Sequence, residues 1–230
     1  MNKIFAFGSL LLGAFAHTHS HVHEVSAWPP LNLYTTFKAD ATLHQFDGKT
    51  LKPFKGITAF TKVDGDRSKI HIDAKVQVPV FGKIDAEILI DTMAGTLQLY
   101  VPMLNICQQE DLPMKASLKE LLLKFYSEDG GITVYDGEVH PAWDASNQFD
   151  KFHALLQGED HKVTISAYVD QNTHNGRWLQ EESDLTRDPK VIINVPKGEE
   201  PATFEDSDFV ISGCTSFELD ETKFIRIFRP

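Results

Sequence analysis

Across residues 33–101 apolar and polar side chains alternate with a period of two, the mark of half-buried antiparallel strands. The clearest run sets Ile70, Ile72, Ala74, Val76 and Val78 against Lys69, His71, Asp73, Lys75 and Gln77. A preceding run over 57–63 joins it through Asp64-Gly65-Asp66, whose Asp-Gly step suits a tight hairpin turn. Pro79 interrupts; Ile84, Ala86, Ile88 and Ile90 then resume the alternation, and a turn at Ala94-Gly95 leads to Leu97, Leu99 and Val101. The pattern predicts a meander.

The period then changes. Leu118, Leu121, Leu122 and Phe125 fall at i, i+3, i+4 and i+7, one apolar stripe of a helix. Ser117 and Glu120 have capping-box spacing at its start, and Gly130-Gly131 supplies a stop. Strand patterns return over 131–139, 151–156, 163–169, 177–180 and 191–195, with a turn at 172–176. The segments 204–212 and 223–228 read as two further strands. The expected fold is mainly β (α+β): a curved, half-barrel-like antiparallel sheet packed on one main amphipathic helix.

Three segments follow from the N-terminal composition. Lys3 precedes an apolar run over 4–15 that ends in Ala14-Phe15-Ala16, so residues 1–16 read as a secretory signal peptide. Residues 17–30 form a His-rich tail, and 31–230 a single β-rich domain. Removal of the signal leaves 214 of 230 residues, and loss of Lys3 takes the formal net charge from -11 to -12. So acidic a surface disfavours nucleic acid and anionic lipid headgroups. No second apolar stretch is long enough for a transmembrane helix. The product is expected to be secreted, or held in the lumen of the secretory pathway. There, Cys107 and Cys214 are expected to pair as a disulfide.

Candidate chemistry is sparse. His17, His19, His21 and His23 alternate, so an extended backbone places four imidazoles on one side, a Cu- or Zn-binding pattern. The plainer reading is a solvated tail that binds metal opportunistically. His71 lies on the polar face of its strand and reads as solvated, whereas His153, inside an apolar strand, reads as a hydrogen-bonded core residue. Trp28, Trp143 and Trp178 lie near strand ends or loops and read as filling side chains. The chain has no Gly-x-Ser-x-Gly elbow, no phosphate-cradling glycine loop and no EF-hand spacing, so nothing points to an enzyme.

Short strings also carry a likeness: Ile90-Asp91 with Leu97-Gln98-Leu99-Tyr100, Val134-Tyr135-Asp136-Gly137, and Ala167-Tyr168-Val169-Asp170 followed by Arg177-Trp178. With the order signal, meander, helix, meander, the chain resembles the LolA-like lipoprotein carriers and the ependymin-related secreted proteins. The resemblance implies a non-enzymatic carrier that holds a lipid or other hydrophobic small molecule on a concave sheet face. The ependymin-related members carry more cysteines than the two here, so their disulfide pattern does not transfer. The alternatives are a structural or adhesive extracellular protein with a filled core, and a metal-handling protein run by the His tail.

Overall fold

The computed structural model describes residues 28–78, 82–112, 115–125, 133–157, 162–183 and 190–214. The signal segment, residues 17–27 of the tail, Gly130-Gly131 and the expected strand over 223–228 lie outside the described residues.

Twelve strands join one antiparallel sheet. The first meander comprises β1 (Thr36–Phe46), β2 (Leu51–Asp64), β3 (Lys69–Val78), β4 (Gly82–Asp91), β5 (Thr96–Val101) and β6 (Ile106–Asp111). After helix α1 (Leu118–Phe125) a second meander runs through β7 (Thr133–Val139), β8 (Phe149–Gln157), β9 (Lys162–Asp170), β10 (Gly176–Ser183) and β11 (Lys190–Asn194). The short β12 (Glu200–Pro201) adds to β1. The meanders fuse where β1 pairs with β11, Leu43 opposite Ile193, giving the order β6-β5-β4-β3-β2-β1-β11-β10-β9-β8-β7. Among the described residues β6 and β7 remain unpaired edges. Bulges at Thr42/His44, Tyr135/Gly137 and Gly176/Trp178 shift the register and bend their strands.

Alternation fixes the two faces. On the inner face Ile70, Ile72, Ile90, Leu97 and Ala41 are buried beneath Leu118 and Leu122 of α1. The helix is pinned at its first turn. Ser117 Oγ accepts the Glu120 amide at 3.3 Å, the expected cap. Ser68 Oγ accepts the Leu118 amide at 3.2 Å, and the fully buried Thr92 donates its hydroxyl to the Ala116 carbonyl at 2.7 Å. Two hairpin turns, β2–β3 and β4–β5, are thereby riveted to the helix start.

Aspartates at strand ends build the turns. Asp47, Asp64, Asp91 and Asp170 each accept, through Oδ1, the backbone N–H three residues on, at 2.8–3.0 Å. Part of the chain's acidity is therefore turn chemistry. The Thr50 and Lys49 amides hold Asp47 down at about 2. Asp170, against the upward push of partial burial, is also held below its ordinary value by the Thr173 and Asn172 amides. A carboxylate depressed in the folded state stabilises above its unfolded pKa, about 4, and loses that contribution as pH falls. Acid is thus expected to open the Asp47 turn between about pH 4 and pH 2. The Thr50 amide resonance, followed by NMR, should titrate near pH 2; a midpoint near 4 would refute the turn's role.

Segment 204–212 departs from expectation. It forms a 3-10 turn, Asp206–Phe209, not a strand, because Glu205 and Asp208 cap each other's backbone N–H groups. The segment lies on the outer face, where Phe209 and Ile211 cover Leu89 of β4.

Candidate functional site

Past the α1 cluster, which includes Ile193 and takes in Leu179 at its edge, the inner face continues across the second meander. Leu179 and Glu181 of β10 alternate with Trp178 and Gln180, which face outward. Opposite them stand Ala167 and Ile165 of β9, then Phe152 and Ala154 of β8, and finally Tyr135 of β7. The Phe152 ring packs against Trp28 at 5.1 Å and Tyr135 at 5.0 Å, an aromatic group large enough to wall a ligand.

Two acids interrupt this apolar surface. Asp150 is satisfied: it accepts the Tyr135 hydroxyl at 2.8 Å and the Gln171 amide at 3.2 Å. Burial, and then the neighbouring Asp150 charge, push Tyr135 up to about 12. Glu181 is not satisfied. Its strand neighbours are Ile165 and Val191, its Oε2 is sealed from solvent without a hydrogen-bond partner, and burial pushes its carboxyl up. A carboxyl group in that position keeps a proton more readily and can donate it to a bound oxygen or accept from a bound amine.

The outer face of the second meander is closed by its own side chains. Phe46, Phe149, Tyr168, Trp178 and Ile192 cluster beneath Trp143 from the 140–148 loop. Trp178 Nε1 donates to Asp144 at 3.1 Å. Trp143 and Trp178 are therefore core residues of the outer face, and Trp28 alone of the three meets the inner face.

The cysteines meet as expected: Cys107 and Cys214 form a disulfide, Cα atoms 5.8 Å apart, tying the end of the described chain to β6. Such a bond hints at an oxidising compartment. The four tail imidazoles, His17, His19, His21 and His23, lie outside the described residues. Two other histidines are corrected. His153 is a half-buried outer-face residue whose Nδ1 lies 2.8 Å from Asp136, itself 2.9 Å from Lys151. His71 is not solvated; only 6% of it is exposed, because the 204–214 segment covers its strand. Its Nδ1 lies 2.7 Å from the Asp208 carbonyl, and its Nε2 faces Glu87 at 3.8 Å and Asp73 at 3.9 Å. That grouping was invisible in the linear pattern, since burial arrives from a segment 137 residues away.

No family model matches the chain, and no curated protein matches its sequence significantly.

Proposed function

We propose that this protein is an exported, non-enzymatic binding or carrier protein for a hydrophobic small molecule or lipid held on the inner face. One observation carries the reading: the apolar inner face is far wider than the helix laid on it. Eleven strands at about 4.8 Å spacing make a surface roughly 48 Å across. An α1 of 8 residues is about 12 Å long and about 10 Å wide. Its cluster draws on β1–β5 and β11 and reaches Leu179 of β10. Farther out Phe152, Ala154 and Ile165 are buried, but Tyr135, Ala167, Leu179 and Glu181 are only half-buried, so that strip of β7–β10 lacks a full cover. An apolar ligand supplies it.

The polar groups narrow the class. Glu181 sits amid Leu179, Ile165 and Val191, and the Tyr135–Asp150 pair lies beyond Phe152. An aliphatic chain carrying one hydroxyl or amine matches a surface with one unpartnered carboxyl. The disulfide and the acidic surface fit work outside the cytosol.

Native mass spectrometry of secreted protein is expected to show an adduct that organic extraction removes. The extracted protein should then bind a fluorescent fatty-acyl probe at micromolar concentration. Ala167→Phe, which fills the face between Leu179 and Phe152, should weaken the probe at least tenfold while the protein stays folded. Protein without an adduct that also fails to bind the probe would leave the filled-core structural reading instead.

A further inference from the structure

We infer that His71, Asp73 and Glu87 form a binding site for one divalent transition-metal ion, of which zinc is the best match. The site lies on the outer face of β3 and β4, on the opposite side of the sheet from the proposed ligand face, and stands independently of it.

The argument begins with the imidazole. A carbonyl oxygen only accepts, so His71 Nδ1 carries the proton in its 2.7 Å bond to Asp208. In the neutral ring Nε2 then holds a bare lone pair, and that atom is buried with no hydrogen-bond partner. An unpartnered polar atom in a buried side chain is a standing cost unless something fills it. Metal-bound histidines characteristically anchor the far ring nitrogen on a carbonyl or carboxylate, fixing tautomer and aim. His71 has that anchor.

The sheet supplies the other donors. Asp73 follows His71 by two residues on one strand, so both point to the same face. Glu87 stands directly opposite Asp73 on β4. Like charges facing each other across a ladder repel. Among the described residues neither carboxylate has a Lys or Arg partner, because Lys62, opposite His71, is engaged by Asp208 at 2.9 Å. Two carboxylates without a Lys or Arg partner thus flank a buried, unpartnered nitrogen lone pair.

Distances agree. The three donor atoms lie within 4.8 Å of one another. An ion centred among atoms no more than 4.8 Å apart can sit within about 2.8 Å of each, against about 2.0–2.2 Å for zinc with nitrogen and carboxylate ligands. The Asp73 side chain is 47% exposed and Glu87 31%, so small rotations close the difference and leave a coordination position open to water. One imidazole among few oxygens disfavours calcium, which takes six to eight oxygen donors.

The test uses the full chain with His17→Ser, His19→Ser, His21→Ser and His23→Ser, so that the tail cannot report. Calorimetric titration with zinc is expected to show one ion per chain at micromolar affinity, unaffected by millimolar calcium. Asp73→Asn and Glu87→Gln should each weaken zinc at least tenfold. Without zinc both variants should melt no lower than the parent, since each removes a like-charge contact, and this shows that they fold. Absence of stoichiometric binding in the tail-substituted chain would overturn the inference. So would equal affinity in the Asp73→Asn/Glu87→Gln double variant, or displacement of zinc by calcium.

Discussion

Replacing Cys107 and Cys214 together by Ser is expected to cost the fold about 2–5 kcal/mol. The bond closes a separation of 107 residues, for which loop-closure entropy alone gives about 4.7 kcal/mol. Cys107 faces outward on β6 opposite Tyr100 of β5, so the bond draws the 204–214 segment flat across the outer face of β3–β5. Gly213 shows how closely the chain lies there. A Cβ at that residue would meet the Tyr100 ring at 2.1 Å, so any larger residue would have to push the ring aside. Without the bond, the segment keeps its turn and its apolar contacts but loses its tether. Urea denaturation with and without reductant should move the midpoint down in the parent and leave the double-serine variant unchanged. An unmoved parent midpoint would mean that the covalent link adds nothing to the packed segment.

This cover also explains which parts of the molecule could be read from the chain. Strands β3, β4, β5 and β9 follow the alternation because one of their faces meets the inner core, and side-chain direction reverses at every residue. The stripe of Leu118, Leu121 and Leu122 marked α1 for the same reason at helical period. The fusion of β1 with β11 has no local signature: no turn links them, and register comes only from matching Leu43 with Ile193. His71 was misread because alternation reports one face and says nothing about a cover on the other. A signal existed nonetheless. Leu89 breaks the polar series of β4, between Ile88 and Ile90, and an apolar residue at an outward position calls for a partner. Phe209 and Ile211 are that partner, but their spacing has no period, so the segment passed for a strand.

The inner face shows the converse. Its apolar continuity from Leu179 to Phe152 follows from alternation, yet the half-buried Glu181 interrupts it. In a chain with 33 acidic residues a single buried carboxyl carries no sequence mark. The turn-forming aspartates are different: an Asp ending an apolar strand before a short loop is a physical device, and four hairpins use it.

Phe209→Ala is expected to destabilise by about 3–5 kcal/mol, the range for a fully buried aromatic truncated to alanine. Phe209 is 1% exposed, packs on Leu89 and Ile211, and meets Phe204 edge-to-face at 5.5 Å. The residue also governs the neighbouring Asp208, whose carbonyl orients His71 and whose carboxylate holds Lys62. The informative measurement is a double-mutant cycle with the disulfide. If the segment stays docked after the cysteines are replaced, the Phe209 loss keeps its size in both backgrounds. If the tether is what keeps the segment down, reduction releases it first, and Phe209→Ala then adds little. The packing favours the first outcome. Phe209 and Ile211 bury apolar surface whether or not the bond exists, at about 1.5–3 kcal/mol for each full side chain. Additive losses, measured by urea denaturation of the four proteins, would show the segment to be part of the folded core. A Phe209→Ala effect below about 1 kcal/mol in the disulfide-free background would show it to be a strap held only by the bond.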